Sequence, residues 1–152
     1  MRNRTVLFLL LNFGALAIGG LFTGPGATSG WYLGLAKAPW TPPGWVFGAA
    51  WSTLMLCFAF FMARITANAR LRPRILLLFA AQWVLNVAWN PVFFQWHLVL
   101  PALVLIVALE VVIALFLFRV PARLRVWRLL VLPYSLWLLI AISLNAYILV
   151  NN

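Results

Sequence analysis

Ordinary catalytic chemistry has almost nothing to work with in this chain. It holds one carboxylate side chain, Glu110, one histidine, His97, and one cysteine, Cys57. General acid–base and nucleophilic mechanisms need partnered groups, such as a base beside a nucleophile or two carboxylates across a substrate. A protein metal site needs three or four converging ligands. Hydrolase triads, zinc spacings, phosphate loops and dinucleotide fingerprints do not occur in the sequence. No catalytic residue, metal site or required cofactor is therefore expected, and an ordinary enzyme is disfavoured. What remains is the chemistry of stacking and N–H donation: nine Trp residues, together with the amides Gln82, Asn86 and Asn145 set in apolar sequence.

Helical spacing sorts these residues into faces. One stripe carries Phe47, Trp51, Met55 and Phe58, and a second carries Gln82, Asn86, Trp89 and Phe93. A third carries Tyr134, Trp137, Ala141 and either Leu144 or Asn145. An amide in lipid is costly and normally faces the bundle interior. The economical arrangement is one aromatic-lined cavity with a few amides, capped by Trp31–Gly44. In the competing reading the amides are interhelical glue and the Trp rings fill the core. Pro91 favours the cavity slightly, because it frees a carbonyl one turn earlier, near Val87, that needs a partner. Pro101 reads as a harmless first-turn proline.

The elements that must position these residues are membrane spans. Two thirds of the 152 residues are apolar (66%) and only 8% are charged, far below the roughly one quarter of a soluble domain. Five apolar runs are long enough to cross a bilayer, near Thr5–Phe22, Trp45–Ala63, Ile75–Phe94, Leu98–Phe118 and Leu129–Val150. They form a single domain, 1–152, with a long Gly-, Pro- and Trp-rich segment, 23–44, after the first run. Gln95–His97 is a tight turn, so the third and fourth spans are expected to be antiparallel neighbours. The net charge of +10 is scattered between apolar runs, which the bilayer explains better than a nucleic-acid partner.

Charge placement sets the expected orientation. With the N-terminus inside, that side holds Arg2, Arg4, Arg64, Arg70, Arg72, Arg74, Arg119, Arg123, Arg125 and Arg128, while the other holds only Lys37. The expectation is an all-α bundle of five transmembrane helices, N-terminus inside and C-terminus outside, its long first loop capping a pocket in the outer half. Arg2, Arg4 and Ala27-Thr28-Ser29 could pass for a secretory leader, but the apolar run is long for one and the charge asymmetry works with it retained.

Trp31, Tyr32, Trp40, Trp45, Trp96 and Trp127 suit the interfacial aromatic belt. Trp51, Trp83, Trp89 and Trp137 lie deeper, and their indole N–H groups need acceptors inside the bundle. Glu110 falls near the middle of the fourth span, with no Lys or Arg at its depth, and is expected to be a neutral acid bonded to a backbone or amide group. The alternative is a proton- or cation-coupling site. His97 reads as a solvated turn residue in preference to a porphyrin iron ligand.

Read together, the stretches are familiar. Trp31-Tyr32, then Lys37-Ala38-Pro39-Trp40-Thr41-Pro42-Pro43-Gly44-Trp45-Val46-Phe47 and Trp51, resemble the first-loop signature of the tryptophan-rich sensory protein family, TspO/MBR, which includes the translocator proteins or peripheral-type benzodiazepine receptors. Gln82, Asn86, Trp89, Pro91, Val92, Phe93 and Phe94 resemble its third-helix motif. Pro133-Tyr134, Trp137, Ala141 and Leu144-Asn145 resemble its fifth-helix motif.

The resemblance implies a five-helix bundle and a pocket under the first loop that takes porphyrins, haem-related tetrapyrroles and synthetic drug-like ligands. By position it implies a lining of Trp51, Asn86, Trp89, Phe93 and Trp137, with Tyr32 and Pro42 from the loop. Trp31, Lys37, Met55 and Asn145 complete the candidate ligand-binding set. The family's link to light-dependent porphyrin breakdown makes Trp51 and Trp137 redox-active candidates, and its members are commonly homodimers. This chain has Lys37-Ala38 where the family usually has Lys-Pro, and Met55 where it often has Tyr. No Lys or Arg follows Tyr147, so the animal cholesterol motif fails and sterol binding is doubtful. The expected function is that of a membrane tetrapyrrole-binding protein acting as sensor, carrier or stress modulator. The alternatives are a small proton-coupled transporter using Glu110 and a structural subunit of a membrane assembly. Which membrane holds the protein is not encoded.

Overall fold

A computed structural model describes residues 2–152, except for the side chains of Ala122 and Arg123. Arg123, one of the expected inner cations, thus lies outside the described side chains. The elements are α1 (Arg2–Ala27), α2 (Gly30–Gly34), α3 (Gly44–Ile65), α4 (Arg72–Asn90) running into a π-helical turn (Pro91–Gln95), α5 (Val99–Phe118), a 3-10 segment (Ala122–Leu130) and α6 (Leu132–Asn151). Five helices are long and apolar enough to cross a membrane, and no strand occurs among the described residues. Their outward faces are as apolar as their inward ones: Leu21, Leu77, Phe118 and Val150 are all more than 70% exposed. Water would not tolerate such a surface, whereas hydrocarbon is its natural solvent.

α1 packs on α3 and α4, α4 on α5, and α5 on α6, while α3 and α6 meet over only a short stretch. The ring α3–α1–α4–α5–α6 therefore closes between α3 and α6, whose backbones stand apart and are bridged by large aromatic side chains. The expected antiparallel pairing of the third and fourth spans is present. Their turn is closed by Trp96 N–H to Pro91 C=O (2.9 Å) and Leu98 N–H to Val92 C=O (3.0 Å). His97 at its tip adopts φ 57°, the left-handed region that histidine enters more readily than most side chains.

Close approach fixes α1 on α4. A Cβ on Gly19 would lie 2.6 Å from Asn90 Nδ2, and one on Gly26 would lie 2.5 Å from the Cβ of Phe94. Asn90 also supplies the partner that the Pro91-freed backbone requires, its Nδ2 reaching the carbonyls of Asn86 (2.9 Å) and Val87 (3.5 Å). Its Oδ1 accepts from Thr23 Oγ1 at 2.6 Å, which closes the α1 contact. On the α3 side, Asn12 Nδ2 donates to the Met55 carbonyl (3.0 Å).

Several boundaries differ from the apolar runs. α1 continues past Phe22 through Pro25 to Ala27, which shortens the free loop. Pro25 has no N–H to return to the Leu21 carbonyl one turn earlier, and α1 ends two residues later, where hydroxyls cover the end carbonyls: Thr28 Oγ1 to Pro25 (3.2 Å) and Ser29 Oγ to Gly26 (2.6 Å). Ser29 Oγ also accepts the Tyr32 N–H at 3.2 Å and so caps α2. α6 begins at Leu132, three residues after the Leu129 start of its apolar run, because the preceding 3-10 segment takes up that stretch and Pro133 suits the first turn. At the arginine-bearing end, arginines cover carbonyls left open by helix termini. Arg4 and Arg72 both donate to Thr66 C=O (3.2 and 3.0 Å), and Arg128 donates to Val120 C=O (2.8 Å).

Candidate functional site

The opposite end carries the aromatic loop, which runs from the π-helical turn across to α6. Trp31 packs edge-on to Phe93 at 5.5 Å between ring centroids and stacks on His97 at 4.0 Å. Tyr32 contacts both Phe93 and Phe94, and Trp89 stacks on Phe93 at 5.1 Å. Further along, Trp40 donates from Nε1 to Ser143 Oγ (3.1 Å) and meets Tyr147 edge-on. Asn152 then ties the loop to the end of α6 through two bonds, Ala36 N–H to Oδ1 (2.8 Å) and Nδ2 to Ala36 C=O (3.2 Å).

A second aromatic group lies along the α3–α6 seam, where Phe47 meets Trp137 at 5.5 Å and Trp51 meets Tyr134 at 5.8 Å, both edge-on. Met55 below them is fully buried. Trp89, stacked on Phe93, also packs against the main core of the bundle. Trp89, Phe93 and Asn145 thus belong with Trp31 and Tyr32 to the loop group, and Trp51, Met55 and Trp137 to the group along α3 and α6. Asn86 is buried on α4, and Pro42 is half-buried in the loop.

Polar groups here divide into satisfied and unsatisfied. Trp89 Nε1 donates to Asn145 Oδ1 (3.2 Å), and Asn145 Nδ2 donates to Val99 C=O (3.1 Å). Trp83 Nε1, on the far side of α4, reaches Leu11 C=O at 2.9 Å. Trp137 Nε1 is buried without an acceptor. Lys37 lies 4.8 Å from the Tyr32 ring centroid, and its Nζ donates to the carbonyls of Leu33 and Leu35 (both 3.3 Å). A third N–H remains available for an anion. Burial pushes the Tyr32 phenol up, so it stays neutral and Lys37 is the charged group at this end.

Two cavities are lined by other residues. One of about 480 Å³ lies at the arginine end (Arg64, Ala67, Asn68, Leu124), and one of about 220 Å³ lies under the end of α1 (Leu21, Phe22, Pro25, Gly26, Ser29, Phe94, Gln95). Trp51, Trp89 and Trp137 border neither; their rings pack on Tyr134, Phe93 and Phe47 respectively.

Glu110 lies on α5. Its partner is the hydroxyl of Ser135 on α6, which donates to Oε1, in place of the backbone or amide group anticipated; Oε2 is buried without a partner. Sequence reasoning passed over Asn90 and Asn152. An asparagine just before a proline in an apolar run was the available signal for the first; for the second there was none.

The sequence profile of the TspO/MBR family matches residues 6–150. The chain belongs to that family. A tryptophan-rich protein TspO from Chlorobaculum tepidum is 32% identical over 99% of both chains. Protein CrtK of Rhodobacter capsulatus is 34% identical over 85% of this chain and 80% of its own. The human translocator protein is 33% identical over 76% of this chain and 70% of its own. For this TspO/MBR member, family and helices agree on a multi-pass integral membrane protein.

Proposed function

We propose that the aromatic region under the loop binds a tetrapyrrole of the porphyrin or haem type, and that the protein acts as a membrane sensor or carrier of it. The observation that carries this reading is Trp137 Nε1, an indole donor with no acceptor, on the aromatic seam between α3 and α6. A buried unpaired donor is costly, and a ligand acceptor would recover that cost. Large apolar rings on both sides of the seam suit a flat macrocycle, and Lys37 at the loop suits its propionates. The rings are packed together, so entry requires α3 and α6 to part and the loop to lift. The name of one relative, translocator protein, is compatible with such a role. The family's light-dependent porphyrin breakdown would use Trp51 and Trp137, which flank the same seam.

The test is porphyrin titration of purified protein, read by quenching of tryptophan fluorescence. Trp51→Phe or Trp137→Phe should weaken binding by about 1–2 kcal/mol, roughly five- to thirtyfold. Lys37→Ala should weaken porphyrin more than an uncharged aromatic ligand. Trp127→Phe, at the arginine end, should change nothing. Equal weakening by Trp127→Phe and Trp51→Phe would refute the site.

A further inference from the structure

The arginine end presents a charge that the chain cannot neutralise. Arg2, Arg4, Arg64, Arg70, Arg72, Arg74, Arg119, Arg125 and Arg128 fall on the segments that open or close the spans there. The only Asp or Glu of the sequence is Glu110, which lies within α5 and is bonded to Ser135. Arg4, Arg72 and Arg128 reach backbone carbonyls, and such contacts satisfy donors without cancelling charge. The counter-charge must come from outside the chain.

One place at this end is built to receive it. Between the end of α3 and the 3-10 segment lies the cavity of about 480 Å³ lined by Arg64, Ala67, Asn68 and Leu124. The Arg64 guanidinium sits 5.4 Å from the centroid of the Trp127 ring, a cation–π contact that holds its planar fork in place. Asn68 Oδ1 accepts the N–H of Arg70 at 3.1 Å, which orients the amide and keeps its NH2 group as a donor. A fixed guanidinium and an amide NH2 are the groups that recognise phosphate oxygens. Leu124 adds an apolar wall at the level where spans meet headgroups. We propose that this cavity binds the phosphate of an anionic lipid, with Arg64 and Asn68 as donors and the acyl chains running along the bundle. Basic pockets between helices at this level are the usual seats of acidic headgroups.

The full-length protein in detergent, equilibrated with phosphatidylglycerol or phosphatidylcholine and examined by native mass spectrometry, tests this. Phosphatidylglycerol should be retained in preference to phosphatidylcholine, and Arg64→Gln should weaken its retention about tenfold. Asn68→Asp keeps the acceptor for the Arg70 N–H, and with it the turn, while replacing the donor by a negative charge. It should weaken retention at least as much, so the proposal stays testable if Arg64→Gln fails to fold. Arg74→Gln removes the same charge from an exposed site on the first turn of α4 and should have little effect. Equal losses in Arg74→Gln and Arg64→Gln, or equal retention of the two lipids, would overturn the site. Displacement of phosphatidylglycerol by millimolar inorganic phosphate would give the cavity to a soluble anion and overturn the lipid assignment.

Discussion

At the scale of single residues, the buried amides and indoles separate those that hold the bundle from those that await something. Trp89, Asn145 and the Val99 carbonyl form a closed chain of donors and acceptors, as do Thr23, Asn90 and the Asn86 carbonyl. Trp137 breaks the pattern, as do the amide oxygens of Asn12 and Gln82, but it alone of the three leaves an unpaired donor. Replacing it by Phe removes an unpaired donor, so Trp137→Phe should melt within about 1 kcal/mol of the parent, or above it, while binding porphyrin less well. A thermal melt beside a porphyrin titration checks both halves, and a large loss of stability would mark the indole as merely structural. Glu110 calls for the opposite comparison. Its bond to Ser135 ties α5 to α6, and Glu110→Gln, which keeps an acceptor oxygen, should fold and bind porphyrin normally. Loss of a substrate-dependent proton flux in vesicles, with binding intact, would instead favour the transporter. Much of this was legible in the sequence because stripes repeat: Trp51 and Met55, or Asn86, Trp89 and Phe93, recur at helical spacing and announce a shared face. Asn90 and Asn152 belong to no stripe, and their partners lie 67 and 116 residues away in the chain, beyond the reach of periodicity.

At the scale of elements, small residues decide how α1 seats on α4. A methyl group on Gly26 would collide with the Cβ of Phe94, an atom fixed by its own backbone. One on Gly19 would meet the end of Asn90, a side chain already held by three bonds. Gly26→Ala should therefore lower stability by about 1–3 kcal/mol, with Gly19→Ala in the same direction. Gly20→Ala, which meets nothing within 4 Å, should be neutral or slightly stabilising. Melting of the purified variants in one detergent checks the order, and a Gly20→Ala loss equal to that of Gly26→Ala would exclude the contact as its cause. Apolar run lengths gave the spans but not their ends, because a hydrophobic count ignores capping. Ser29, Thr28 and Pro133 set those ends through local hydrogen bonds and ring geometry.

At the scale of the molecule, the two ends of the bundle differ in kind. One is arginine and backbone carbonyl, and the other is aromatic loop and Lys37. This asymmetry carries the proposed orientation: reporter fusions at Arg70 and Arg125 should read cytoplasmic, and those at Thr28 and after Asn152 should read external. A cytoplasmic reading after Asn152 would refute it. The five-fold crossing and the antiparallel third and fourth spans follow from hydropathy and a three-residue turn. The aromatic α3–α6 seam does not, since the order of helices around a ring is a tertiary property that no single span encodes. The pair of bonds between Asn152 and Ala36 has one more effect. They couple the cap to the end of α6, so a ligand that must raise the cap works against these bonds. By reciprocity, anything that grips residue 152, an affinity tag included, becomes an effector of ligand affinity measured beneath the cap.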